Sequence, residues 1–148
     1  MALFHIDDVR TRVEAEVTEL AGKLGNAVGF ADLVEHGSVP PVTPYCFILP
    51  GGLRGGTADT ATGVFRQPFQ ETVSVVLMER VAADPLSVKG MGKLTPLAED
   101  IIQCVAGWAP DNAIGVFELV QAELVGATRG VLVFQIDFAL NDQLRIAA

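Results

Sequence analysis

Residues 115–140 contain the feature that most constrains the fold, a pair of strands joined by a tight turn. Apolar and polar residues alternate along the second strand, which predicts a half-buried strand with one apolar face. That face consists of Leu132, Phe134, Ile136, Phe138 and Leu140. Gln135 and Asp137 fall on the other face, and the glycine-bounded residues 126–130 predict a hairpin connection. Because an isolated hairpin is marginal in water, further strands and a helix must cover its apolar face.

Two amphipathic helices are predicted to supply that cover. Apolar residues recur at spacings of three and four between positions 6 and 24, which predicts a helix of about five turns that ends at Gly22 and Gly25-Asn26. Thr95-Pro96 predicts the start of a second helix, and Pro110 its end. Residues 30–35 predict one further short helical turn, and Asp84-Pro85 another possible helix start.

The remaining strands define the fold class. Residues 45–49 predict a short apolar strand closed by Pro50, and residues 64–81 predict a longer strand that is apolar on both faces. Pro68 is expected at the start of that strand or at a bulge. The element order α, β, β, α, β, β predicts an α+β domain with an antiparallel or mixed sheet of about four main strands. The two helices are expected to pack on one face of it.

Residues 51–63 are predicted to form a long flexible loop, because they contain five glycines and no apolar period. Loops of this length in a compact domain are usually binding elements or disordered. The length of 148 residues suits one domain, and we predict a single domain over residues 1–148.

The composition predicts subunit contacts. Half of the residues are apolar and the mean hydropathy is +0.41, which is high for a soluble domain. We expect the surplus apolar surface to be buried between subunits rather than in a membrane. The longest uncharged run, residues 37–53, is interrupted by prolines and cannot form a spanning helix, and the first residues do not resemble a secretion signal. The net charge of −8, without a basic stripe, argues against a direct grip on nucleic-acid phosphates.

No catalytic residue, cofactor or metal site is predicted. Cys46 and Cys104 lie in no Cys/His cluster, which predicts two buried free thiols. His5 and His36 lie in no metal-binding or nucleophile motif. Residues 87–95 resemble part of a phosphate loop, but a leucine follows the lysine where Ser or Thr must hold the metal. The strand carboxylates are interpreted as solvated or interface groups rather than acid/base catalysts: Glu71, Glu79, Glu118, Glu123 and Asp137.

Several short segments occur in a recognisable order. They are Pro-Tyr-Cys-Phe-Ile-Leu-Pro at 44–50, Gln-Glu-Thr-Val-Ser-Val at 70–75, Val-Ala-Gly-Trp-Ala-Pro at 105–110 and Phe-Gln-Ile-Asp-Phe at 134–138. With an N-terminal helix before them, the chain resembles the tail terminator, or tail-completion, proteins of long-tailed bacteriophages and related prophage-derived particles. The most specific piece is Gly107-Trp108-x-Pro110, after an amphipathic helix and before the strand pair.

This resemblance implies a hexameric ring at the head-proximal end of a tail tube, assembled in the bacterial cytoplasm and present in the virion tail. Its implied partners are further copies of the chain, the major tail tube protein and a head–tail connector or neck protein. It implies no enzymatic activity and no cofactor. DNA could pass through the ring lumen without being bound by sequence, and an acidic lumen would repel its phosphates.

Two other classes of protein stay open. A tail-tube or baseplate-hub protein has a related α+β architecture, but it would polymerise where a terminator stops. A small enzyme or ligand-binding domain would need a deep polar pocket under residues 51–63. Six residues are candidates for interface contacts: Arg54, Asp59, Arg66, Val76, Trp108 and Arg129.

Overall fold

The computed structural model describes residues 3–60, 63–81, 88–111 and 113–147. Within these ranges the chain has three α-helices and one mixed five-stranded sheet, which confirms the predicted α+β class with one more strand and one more helix than expected. No helix in them is both long enough and apolar enough to span a membrane. The helices are α1 (Ile6–Glu16), α2 (Ala27–His36) and α3 (Val88–Val105). The strands are β1 (Leu24–Gly25), β2 (Tyr45–Gly55), β3 (Val64–Arg80), β4 (Phe117–Thr128) and β5 (Val131–Ala147).

A long antiparallel pair, β3 with β5, forms the centre of the sheet. The strand order is β1-β2-β3-β5-β4, and β1 with β2 is the parallel pair. β3 and β5 pair over 17 residues, from Val64 opposite Ala147 to Arg80 opposite Val131. At about 3.3 Å per residue, this ladder is about 50 Å long.

Pro68 lies inside β3 and not at its start. Its carbonyl accepts a hydrogen bond from the Gly56 N–H at 2.7 Å, so its backbone polar groups point toward the β2 side. The missing N–H of proline therefore costs no hydrogen bond to β5.

Helices α1 and α3 cover one face of the sheet and form the main core with it. The apolar face predicted for the second hairpin strand is confirmed, because Ile136, Phe138 and Leu140 are each 0% exposed. They pack with buried residues from both helices and from β3: Val9, Val13, Leu94, Ile101, Val105, Val73, Val75 and Leu77.

The two predicted helices, α1 and α3, pack on one face as expected, and a third helix, α2, covers the other face. Phe30 and Leu33 of α2 pack on a second apolar cluster that includes Val76 and Met78. Residues 30–35 are thus part of a ten-residue helix. Asn26, which was interpreted as a helix terminator, is instead its N-cap and accepts a hydrogen bond from the Gly29 N–H at 2.9 Å.

Helix α1 is shorter than the predicted five turns. It ends at Glu16, Val17 leaves the helical region with φ −109° and ψ 88°, and Thr18–Leu20 form one 3-10 turn. Val17, Leu20 and Leu24 are nevertheless buried, as their spacing indicated. The chain turns here because it must enter β1 alongside β2.

Helix α3 starts earlier than predicted, at Val88, so that Pro96 lies inside it and not at its start. Because Pro96 has no backbone N–H, the carbonyl of Gly92 loses its helical hydrogen bond. Both residues are exposed, so water can hydrogen-bond to that carbonyl. Gly107 follows the end of the helix with φ +79°, as a C-terminal glycine does. The other proposed helix start, at residues 84–85, lies outside the described residues.

The turn between β4 and β5 is shorter than the predicted connection of residues 126–130. It consists of Arg129 and Gly130, with φ +49° and +76°, while β4 continues to Thr128. Positive φ at both central residues is the pattern of a type I′ hairpin turn, whose twist matches that of the strands.

The prediction of a loop from residue 51 is wrong for residues 51–55, which extend β2 along β3. A register shift at Gly51 allows this, because a Cβ there would lie 2.8 Å from the Thr72 side chain. Beyond it, Asp59 and Arg66 form an isolated bridge. We call residues 51–55, 64–70 and 141–147 the arm.

A substitution at Val76 tests the burial of the second apolar cluster, which packs against α2 and is called the α2 cluster. Val76→Asp should lower the free energy of unfolding by about 3–5 kcal/mol, because it places an uncompensated charge in an apolar site. Val120→Asp is the matched control, since Val120 of β4 is 58% exposed, and it should change stability by less than about 0.5 kcal/mol. Urea denaturation measures both, and equal stability of the two variants would contradict the burial of Val76.

Candidate functional site

The six candidate interface residues lie in three regions. Arg54 and Arg66 are exposed on the arm. Asp59 is also exposed and lies beside the arm, where the Asp59 and Arg66 backbones exchange hydrogen bonds of 2.7 and 2.9 Å. Arg129 lies in the β4–β5 turn at the other end of the central ladder, about 50 Å away. The remaining two, Val76 and Trp108, pack against other parts of the same subunit. No single site therefore contains all six.

Trp108 and Val76 have partners within the chain. The Trp108 ring is half-buried and stacks on Phe117 at 5.9 Å between centroids, with an interplanar angle of 17°. The Arg12 guanidinium lies 5.3 Å from the centroid of the same ring. Val76 is 2% exposed in the α2 cluster. Both residues pack within the subunit, and the interface role predicted for them stays a prediction.

One face of the arm is basic. The strand register places Arg54, Arg66 and Arg145 on the side of the sheet that carries α2, with Arg66 directly opposite Arg145. All three are exposed, and like charges directly opposite each other repel. The sequence alone does not reveal this face, because the three arginines are far apart in the chain and Arg145 lies beyond Leu140, where the predicted strand ends.

The other face of the arm is mainly apolar, although Gln67 and the buried Asp142 lie on the same side. Leu53, Phe65, Leu144 and Ile146 project to the side of the sheet that carries α1 and α3. Leu53 is 37% exposed and Ile146 is 52% exposed. The arm is therefore basic on one face and mainly apolar on the other, which is unusual for a region surrounded by water on both sides.

Strand β4 is exposed along its whole length except at Phe117. Leu119 and Leu124 face the α1/α3 side and are 44% and 48% exposed. Val120 and Val125 lie at two irregularities in the register and are 58% and 57% exposed. An apolar strand this open to solvent is typical of a surface that another protein covers. We call the exposed residues of β4 the β4 surface.

The second face of the β4 surface is acidic. Glu118 lies opposite Ala139 and Glu123 opposite Gln135, which places both carboxylates on the α2 side. Both are exposed. The α2 side of the sheet therefore has a basic region on the arm and an acidic region on β4.

Asp137 holds the β4 surface in place. Its Oδ1 accepts hydrogen bonds from Ser74 Oγ at 2.6 Å and from Gln135 Nε2 at 3.0 Å, and its Oδ2 accepts one from Gln121 Nε2 at 2.8 Å. Burial raises the pKa of Asp137, but the three hydrogen bonds outweigh it and hold the pKa below its usual value. The ionised carboxylate thus links β3, β5 and β4.

Glu71 links the start of the chain to the base of the arm. Its Oε2 accepts a hydrogen bond from the His5 backbone N–H, and its Oε1 pairs with His5 Nδ1, both at 2.7 Å. Both residues are 1% exposed. The interpretation of the strand carboxylates as surface groups is therefore wrong for Glu71, Glu79 and Asp137, which are buried, and it holds for the two glutamates of β4.

A groove of about 460 Å³ lies between α2 and the end of the β4–β5 hairpin. Its lining is mainly apolar and includes Phe30, Leu33, Met78 and Val125. Among the described residues, no charged side chain lines it. This groove is apolar and does not lie under residues 51–63, whereas a more polar depression of about 400 Å³ lies at residues 51–54 and is lined also by Gln70 and Thr72.

The groups that could carry chemistry are few among the described residues. Cys46 and Cys104 are buried free thiols, as predicted. Burial raises the pKa of both, that of Cys104 to about 11, so neither is a thiolate at neutral pH. Asp32, Glu35 and His36 could together offer ligand atoms to a metal ion. All three are exposed on one helix, where His36 Nδ1 already bonds the Asp32 carbonyl at 2.8 Å.

Comparisons with known proteins give a family and a structural neighbour. A family model described as "Phage tail terminator protein" matches residues 1–148. Among solved structures, the chain is similar to a chain of "Virion of native gene transfer agent (GTA) particle", with a TM-score of 0.49 and 13% sequence identity. That similarity covers 92% of this chain and 98% of the other. No curated protein sequence matches the chain significantly.

Asp137→Asn tests the link to β4. We expect it to lower the free energy of unfolding by about 1–3 kcal/mol at neutral pH, because three donors lose a charged acceptor. The folded-state pKa lies below the unfolded value of about 3.9, so this contribution is present above that pH and is lost as the pH falls through the folded-state pKa. The difference between wild type and variant should therefore shrink in acid.

Urea denaturation at neutral pH and at about pH 3 measures this difference. Asp100→Asn, on the exposed side of α3, is the matched control and should behave like wild type. A difference that stays constant across this pH range would contradict the proposed role of the charge.

Proposed function

Because the chain belongs to the phage tail terminator family, we propose that it forms a hexameric ring on the head-proximal end of a tail tube. The ring stops polymerisation of the tube and offers a surface to the neck or connector. Its partners are further copies of the chain, the major tail tube protein and a head–tail connector or neck protein. It is a structural component of the virion tail and catalyses no reaction.

The exposure of the β4 surface is the observation that best supports this proposal. Every residue of β4 after Phe117 is exposed, although four of them are large and apolar. Because burial of apolar area is favourable by roughly 25 cal/mol per Å², such a surface gains stability when another subunit covers it. In an isolated monomer this apolar area stays exposed to water.

The length of the sheet supports a ring with two different rims. The arm lies at one end of the central ladder and the Arg129–Gly130 turn at the other. One end contacts the last layer of the tube and the other faces the neck. Growth of a head-to-tail polymer stops where a ring without a further docking site is added.

The charge of the chain suits a ring through which DNA passes. The net charge is −8, and acidic groups that face a lumen repel phosphates and keep passage fast. The arginines of the arm are concentrated on one face, so we place that face in a protein contact and not in the lumen.

Deletion of the gene tests the function. The deletion strain should produce heads and tubes that do not join, and many tubes should be longer than normal, because nothing stops their growth. Electron microscopy of lysates measures tube length and attachment, and the wild-type gene supplied in trans is the control. Tails of normal length attached to heads in the deletion strain would refute the proposal.

A second measurement separates a terminator from a tube protein. The purified chain mixed with tail tubes should bind one end of each tube and form closed rings. Long polymers of the chain itself in negative stain would instead identify it as a tube protein.

A further inference from the structure

The sheet has two free edges within the described part of the chain. β4 is the last strand on one side. On the other side β1 pairs with β2 only at Cys46 and Phe47, so the arm portion of β2, residues 51–55, is open. A free strand edge presents unpaired backbone groups that can pair with another chain. Because the two edges belong to different strands, a contact between them is head-to-tail.

The charged side chains at the two edges have opposite signs and lie on the same side of the sheet. Glu118 and Glu123 lie on the α2 side of β4. Arg54 and Arg66 lie on the α2 side of the arm. When two copies of the sheet are placed edge to edge with the same side outward, the carboxylates of one copy meet the guanidinium groups of the next.

The apolar groups match in the same arrangement. Leu119 and Leu124 of β4 lie on the α1/α3 side, as do Leu53 and Phe65 of the arm. Leu53, Leu119 and Leu124 are 37%, 44% and 48% exposed in the isolated chain. The same contact that pairs the charges on one side therefore buries apolar side chains on the other.

We propose that the arm of one copy of this chain packs along β4 of the next copy, with its basic face against Glu118 and Glu123. This inference rests on the proposed function, since it names the contact that builds the ring. Each copy uses its arm once and its β4 surface once. Such a heterologous contact produces a closed ring when the rotation between copies closes.

A second copy is the occupant that the charges favour. Both halves of the contact are present in one chain, so no other protein is needed to complete it. Arg66 and Arg145 repel each other across β3 and β5 in the single subunit. Asp59 of the same subunit lies opposite Arg66 on its other side, and the carboxylates of a neighbour add further opposite charge. Charge pairs of this kind fix the register of an interface.

Charge reversal on each side provides the test. The β4-reversed variant carries Glu118→Arg and Glu123→Arg, and the arm-reversed variant carries Arg54→Glu and Arg66→Glu. Each variant alone places like charges at the contact, so its self-association should be weakened at least about tenfold. An equal mixture of the two should restore assembly, because every contact then joins opposite charges in an alternating ring with an even number of subunits.

Matched controls separate this effect from damage to the fold. Glu99→Arg on α3 and Arg80→Glu at the far end of β3 reverse exposed charges outside both surfaces and should leave assembly unchanged. Circular dichroism checks that every variant melts like wild type. Assembly is measured by sedimentation velocity and by restoration of joined tails in the deletion strain, with the two variants supplied singly and together.

The outcomes are distinct. Failure of each variant alone with rescue by the mixture supports the contact. Normal assembly by either variant alone, or no rescue by the mixture, overturns it, while wild-type rescue of the deletion strain leaves the proposed function intact. Variants that keep their self-association but no longer cap tubes would show that these charged residues contact the tube protein and not a neighbouring copy. A wild-type chain that neither self-associates nor is needed for tails would overturn both proposals.

Discussion

The β3–β5 ladder is the interaction on which the rest of the structure depends. Its 17 residue pairs keep every second side chain on the same face over the full length of the sheet. Helices α1 and α3 pack against one face, and α2 packs against the other. The ladder also continues past the helices as the arm, so the same backbone pairing that supports the core also projects a surface away from it.

Two of the carboxylates buried in the sheet, Glu71 and Asp137, connect other elements to this ladder. Glu71 receives the start of the chain at the base of the arm, and Asp137 ties the exposed β4 to its neighbours. Both carboxylates use their hydrogen bonds within the subunit, Glu71 with His5 and Asp137 with β3, β4 and β5. The charged side chains of the arm and of β4 that are proposed to make contacts are exposed, so the groups that stabilise the subunit and the groups available for contacts are different residues.

Sequence periodicity predicted the parts of this fold that are buried on one face. The apolar face of β5 and the stripe of α1 were correct because burial selects residues at a regular spacing. Residues 51–55 were missed because an exposed edge strand needs only backbone pairing, which glycines can supply. The arm arginines were missed as a group since only strand register brings Arg54, Arg66 and Arg145 together, and register is set by the turn and the core rather than by local sequence.

The offset between β4 and the arm has a geometric consequence. Through β5, β4 lies level with residues 71–80 of β3, whereas the arm portion of β2 lies level with residues 69–72. The centres of the two edges therefore differ by about five residues, or about 16 Å along the strand direction. When edges with such a stagger close on themselves, the strands must incline to the axis, as the shear of a barrel requires. In a closed ring of these subunits the strands are therefore inclined to the ring axis, and the strand register within a single chain determines that inclination.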